Sequence, residues 1–188
     1  MTRIAGLVAM MAFAAGCGSS ATVDPEIIAV FPPEGRRWTY EAENEVIIAL
    51  DRLDAAREQR GETQRDLEAI PKKGPASAVH AARRRWLQVQ VELEETQIEE
   101  AETSVECARR NLELTRARLA VRFDLPVEEG FVKPFERRYL DCARTREDIS
   151  RRALQLETKV RTSKRAWYEA RAAYVAKTGD HDHGLWID

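Results

Sequence analysis

From Leu87 to Leu119 the chain reads LQVQVELEETQIEEAETSVECARRNLELTRARL, with no glycine and no proline. Steps of four and three through it select Leu87, Val91, Glu94, Ile98, Ala101, Val105, Ala108, Leu112, Thr115 and Leu119, and eight of these ten are apolar. A repeat of about 3.5 residues held over several turns keeps a narrow stripe on one face, as a left-handed coiled coil requires. The alternation of a half-buried strand is nowhere sustained. The same steps later in the chain select Phe135, Tyr139, Cys142, Arg146, Ile149, Ala153, Leu156, Val160, Ser163, Trp167, Ala170 and Tyr174.

Working outward, glycine and proline set the limits. Neither occurs in 76–122 or in 135–178, and both stretches are rich in Ala, Leu, Glu, Arg and Gln, which lose little freedom in a helix. Helices are expected over about 76–122 and 134–178. A shorter one is expected over about 40–70, with Thr39 as N-cap, Glu41 and Glu43 in its positive first turn, and Gly61 weakening its middle. The 123–134 connection is short, so the two long helices should be antiparallel neighbours. If paired residue numbers sum to about 253, Trp86 meets Trp167. The acidic cluster Glu92, Glu94, Glu95, Glu99, Glu100 and Glu102 then lies beside Arg151, Arg152, Lys159 and Arg161, and Arg109 and Arg110 fall near Glu147 and Asp148. The expected fold is all-α: a long antiparallel coiled-coil hairpin with a shorter third helix packed at its base, leaving a two-helix arm to project.

The N-terminus has its own character. Met1-Thr2-Arg3 precedes an apolar run from Ile4 to Ala15, then Gly16-Cys17. One positive charge, about a dozen apolar residues and small residues at the end form a secretory signal, too short to span a bilayer. Ala14-Ala15-Gly16-Cys17 resembles the lipobox of bacterial lipoproteins, departing from it at Ala14, where that family usually carries leucine. The resemblance implies cleavage before Cys17, lipid on its sulfur and an acylated new N-terminus. An ordinary signal peptide cut near Ala15 or Gly16, leaving a free Cys17, is the other reading. The domain organisation is thus a signal peptide at 1–16, a lipidated N-terminus and extended tether at 17–39, the helical domain at 40–178 and a tail at 179–188. Gly18 in place of aspartate after the cysteine resembles the enteric signal for export to the outer membrane.

The mature chain carries 29 Lys and Arg against 32 Asp and Glu, once Arg3 is removed with the signal. A near-neutral total argues against nucleic-acid binding, which needs a basic excess to displace counterions. No second apolar stretch reaches the ~20 residues of a membrane span.

Chemistry-bearing residues are few. Cys107 and Cys142 are an even pair in a disulfide-permissive compartment, on facing helices. Their numbers sum to 249, about one helical turn short of the register above, so a bridge and two separate semi-buried thiols both stay open. Asp180, His181, Asp182 and His183 are of metal-ligand type and suit Zn²⁺ or Ni²⁺ if a further ligand joins them; a solvated tail after Gly179 is the plainer reading, and no metal is assigned. Phe123, Leu125, Val127, Phe131, Val132 and Phe135 crowd the hairpin tip, where turns are usually polar. They either pack on one another as a cap or form a partner-binding knob. No nucleophile elbow, zincin, Walker or dinucleotide motif is present, so neither catalytic residues nor cofactors are expected and the chain reads as non-enzymatic.

The segment Ala108-Arg109-Arg110-Asn111-Leu112-Glu113-Leu114-Thr115-Arg116-Ala117-Arg118-Leu119 is similar to helical segments of TolC-type outer-membrane efflux proteins and resembles the hairpins of membrane-fusion adaptors. The chain lacks the outer-membrane strands of the former and the flanking β-rich domains of the latter. The expectation is an envelope lipoprotein, held to the membrane through acylated Cys17 and facing the periplasm from the outer membrane. Its helical arm would serve as a spacer or a docking element for a protein partner. An accessory of a TolC-type efflux or secretion complex is the alternative, and a metal-binding protein using the His/Asp tail is a third.

Overall fold

A computed structural model describes residues 22–73 and 76–180. Four helices make up the fold: α1 (Pro25–Ala29), α2 (Pro33–Ala69), α3 (Ser77–Arg122) and α4 (Lys133–Thr178), with no strand among the described residues. The fold is all-α, with α3 and α4 as a long antiparallel hairpin. Both lie within a residue of the expected bounds, because the same punctuation sets them. Pro134 stands in the first turn of α4, where no N–H is needed, and Gly179 ends it in the left-handed region at φ 67°, its N–H reaching the Val175 carbonyl at 2.8 Å.

α3 is the central helix. α2 and α4 both run antiparallel to it and do not pack on each other. Serving two partners requires two stripes, and α3 has them. Ile98, Ala101, Val105 and Ala108, members of the stripe read from the sequence, pack on Ala49 and Leu53 of α2. The face toward α4 is a second stripe: Val79, Ala82 and Trp86 against Trp167, Tyr174 and Val175, then Leu93 against Ala153, Leu156 and Val160. Cys107 and Leu114 continue it. The stripe assigned to the hairpin thus serves α2 instead. On α4, which has one partner, every buried residue lies on the stripe expected of it: Phe135, Cys142, Ile149, Ala153, Leu156, Val160 and Trp167.

The register of the hairpin is anchored by Trp86 stacked on Trp167, centroids 5.0 Å apart, and by Arg152 paired with Glu99 at 2.7 Å. Cys107 and Cys142 are joined in a disulfide with Cα atoms 5.5 Å apart. The one-turn discrepancy disappears because Cys107 belongs to the second stripe, displaced around α3 from Val105 and Ala108. The acidic cluster is divided between partners. Glu95 pairs with Arg60 and Glu102 with Arg57, both on α2, while Arg110 pairs with Glu106 and donates to the Arg138 carbonyl, away from Glu147 and Asp148.

Glu94 is the polar member of the α2-facing stripe, buried to 2 % exposure. Its Oε1 accepts from Thr63 Oγ1 at 2.9 Å, Gln90 Nε2 at 2.8 Å and Gln59 Nε2 at 3.4 Å. Two of those donors come from α2. Sliding α2 by one turn would remove both α2 donors and leave the buried carboxylate only Gln90, its Oε2 having no partner among the described residues. That loss is costly at a buried charge and ties the register of the pair to this residue.

α2 departs most from the expected fold. It begins at Pro33, seven residues before the expected start at Tyr40, because proline suits a first turn and Gly35 is no breaker there. The ring of Phe123 lies 2.6 Å from where a Gly35 Cβ would stand, so the glycine makes room for the tip. Residues 70–73 lie beside the start of α3, with Arg84 Nη2 donating to the Pro71 carbonyl at 3.1 Å. α2 is thereby shifted toward the tip, pairing from Arg60–Glu95 to Glu34–Arg122. No two-helix arm projects from a three-helix base; α2 flanks α3 up to the tip.

Replacing Cys107 and Cys142 together by alanine should keep the helical circular dichroism and lower stability by about 2–4 kcal/mol, the range for a loop of this size. Urea denaturation of the oxidised protein and the double variant measures it.

Candidate functional site

The tip is where a cap or a partner-binding knob is expected, and its six apolar residues are brought together there. They do not stand alone. Residues 22–32, expected in the extended tether, fold over them as a strap. Asp24 caps α1 by accepting from the Glu26 N–H at 2.9 Å. The Val23 N–H donates to Glu113 Oε2 at 2.7 Å, and the Phe31 carbonyl accepts from Arg36 Nε at 2.9 Å.

Phe31, at 1 % exposure, is the centre of this cap. With Leu119 and Ala120 it forms a core against which Ile27, Ile28, Trp38, Phe123, Leu125, Val127 and Phe131 pack. Beside it, Val23, Leu114, Ala117 and Phe135 form a second core, joined by Val132. The Phe31 and Phe123 rings are 6.4 Å apart, and those of Phe131 and Phe135 5.4 Å. Arg122 closes the outside over the Trp38 ring at 4.1 Å. Phe135 is buried and the other five tip residues are half-buried, which is the arrangement of a cap. The signal for the strap was present in Val23, Ile27, Ile28 and Phe31, spaced four, one and three apart around an Asp24-Pro25 helix start.

The opposite end of the bundle is polar and aromatic. His80 is buried at 7 % exposure, and neither ring nitrogen finds a hydrogen-bond partner among the described residues. Burial, then the neighbouring Arg84 and Arg83 guanidiniums, hold its pKa below the ordinary 6.5. Arg83 lies 5.5 Å from the centroid of the Trp167 ring, and Lys164 lies 5.0 Å from that of Trp86. Midway along the bundle, a furrow of about 370 Å³ opens between α2 and α4 with α3 as its floor, its charges mixed among Glu45, Arg52 and Arg146.

Of the other residues singled out in the sequence, Cys17 lies outside the described residues, as do His181, Asp182 and His183. Asp180 is described: its backbone N–H donates to Thr178 Oγ1 at 3.2 Å, and its carboxylate accepts from the Tyr174 hydroxyl at 3.4 Å. Among the described residues no three His, Cys, Asp or Glu side chains converge on a metal position, and no helix is long and apolar enough to cross a membrane. No protein-family model, curated protein or solved structure matches the chain.

Two outcomes are expected. Phe31→Ala should cost about 3–5 kcal/mol, the usual range for emptying a buried phenylalanine site, and should raise proteolysis within 22–40 before the rest of the bundle is cut. For His80, the depressed folded pKa means that the unfolded chain binds the extra proton more readily. Its neutral form therefore contributes stability in full above pH 6.5, which is lost as pH falls below that value. Thermal melts from pH 8 to about pH 5 should show this loss, and His80→Gln should flatten it.

Proposed function

We propose that the chain is a non-enzymatic lipoprotein of the bacterial envelope, anchored through acylated Cys17, with its helical bundle acting as a rigid spacer or docking element on the periplasmic face of the outer membrane. The observation that carries the reading is the manner in which the chain enters its fold. Cys17 stands six residues before Val23, which is pinned to Glu113 beside the hairpin tip. Six residues span at most about 20 Å, so an acyl group on Cys17 holds the tip end next to the lipid. The tip is then the membrane-proximal end, and a partner would meet the sides or the far end of the rod.

Two acyl chains give stable anchoring, because each buried methylene contributes roughly 0.8 kcal/mol. The helices supply length: α3 alone spans about 70 Å at 1.5 Å per residue. With α2 and α4 beside it for most of that length, the rod resists bending better than a lone hairpin would.

Cys17→Ser in the full precursor should move the protein from the membrane to the soluble fraction of cells while leaving its helical content intact. Retention in the membrane fraction overturns the anchoring.

A further inference from the structure

The near-neutral total conceals a separation of charge along the rod. Residues 65–86 and 161–180, at the end formed by the close of α2, the linker, the start of α3 and the close of α4, hold eleven Lys and Arg against four Asp and Glu. The remaining described residues, 22–64 and 87–160, hold eighteen against twenty-six. The tail at 181–188 adds two aspartates, which leaves the basic excess at this end in place.

These cations are displayed to solvent. Arg65, Lys72, Lys73, Arg85, Arg161, Lys164, Arg165 and Lys177 are all exposed, and of these only Arg165 is tied to a carboxylate, Glu169, among the described residues. Elsewhere bridging is commoner but not general: Arg57, Arg60, Arg116, Arg118 and Arg152 each bridge to an acid on a neighbouring helix. Arg52, Arg109, Lys133, Arg137, Arg146 and Lys159 are exposed without one among the described residues, so it is the net excess that sets the basic end apart. The end also carries aromatic surface. Tyr168 is half-exposed and packs on Trp167, which stacks on Trp86.

We propose that this basic end binds an anionic phospholipid surface. Clustered Lys and Arg are drawn to the negative potential of an acidic leaflet, and Tyr and Trp favour the headgroup level. The cations are spread over the ends of three helices and a linker at the tip of a rod, which fits a broad field of headgroups better than a single strand of phosphates. His80 stays neutral near pH 7 and adds nothing to the charge there. The anchoring proposed above puts lipid at the opposite end, so the rod would then span two lipid surfaces about 70 Å apart. That last step rests on the anchoring, whereas the binding itself does not.

The test uses the chain from residue 17 onward with Cys17→Ser, which carries neither signal nor lipid, in sedimentation with vesicles. Vesicles of phosphatidylcholine containing phosphatidylglycerol should carry the protein down and vesicles of phosphatidylcholine alone should not. Binding should fade as added salt shortens the Debye length from about 10 Å to about 3 Å. The four-site variant Lys72→Glu, Lys73→Glu, Arg85→Glu and Lys177→Glu should bind at least about tenfold more weakly, with unchanged circular dichroism. Charge reversal at the other end, Lys133→Glu with Arg137→Glu, should leave binding intact. Equal sedimentation with both vesicle types, unchanged binding by the four-site variant, equal weakening by the tip variant, or capture of duplex DNA at lower protein concentration than vesicles would each overturn the proposal. Because Cys17 is absent throughout, failure here is separate from failure of the anchoring, which Cys17→Ser in cells tests alone.

Discussion

The structure depends on α3 being buried on two faces at once. A helix this rich in charge has no broad apolar surface, yet it must hold partners along its whole length. It does so with two narrow stripes of 3.5-residue spacing, one for α2 and one for α4, separated by glutamates and arginines that reach sideways to whichever partner is nearer. Neither contact would suffice alone: the α2 face is interrupted by Glu94, and the α4 face is filled at Cys107 by the bridge to Cys142. Burial on both sides, the disulfide and the Glu94 hydrogen bonds together fix how far each neighbour can slide.

What could be read in the sequence follows from this. The two long helices are legible to within a residue, because glycine and proline are missing from their interiors and present at their ends. The α4 stripe is legible because α4 has one partner and hence one period. On α3 the period alone finds a stripe but not its partner, since Leu87, Ile98 and Val105 look the same whether the facing helix precedes or follows them. The Trp86–Trp167 stack and the cysteine pair point to the second stripe, and only three-dimensional packing shows that the two stripes differ. The strap was hidden for another reason. Prolines at 25, 32 and 33 and Gly35 suggest an extended tether when counted as breakers, whereas here Pro25 and Pro33 start helices and Gly35 accommodates the Phe123 ring.

The strap alters the meaning of the tip. An exposed knot of phenylalanines would mark a binding site, but the same residues beneath Ile27, Ile28 and Phe31 close the end of a bundle. It also shortens the reach that the proposed anchoring at Cys17 would allow. A chain extended from 17 to 39 would let the bundle wander some 70 Å from an anchor point, and a strap docked from Val23 onward leaves about 20 Å. In the proposed spacer role, docking the N-terminal segment on the tip would give the rod a defined near end and a defined far end.

The charge distribution then acquires a direction. Neutral rods of alternating charge would attract no surface in particular. Here the acids gather along the flanks and the tip half, and the excess of cations over acids lies at the end farthest from Val23. Ion pairs along the flanks exchange solvated charge for register and present little net field, while the basic end keeps its field facing outward. Segregation of this kind opposes stability, since like charges crowd the helix ends around the Trp86–Trp167 stack. The two guanidiniums there also oppose a proton on His80. Tolerating that repulsion at one end, in a chain that is acidic over the rest of its described length, is the physical argument that the end faces something negative.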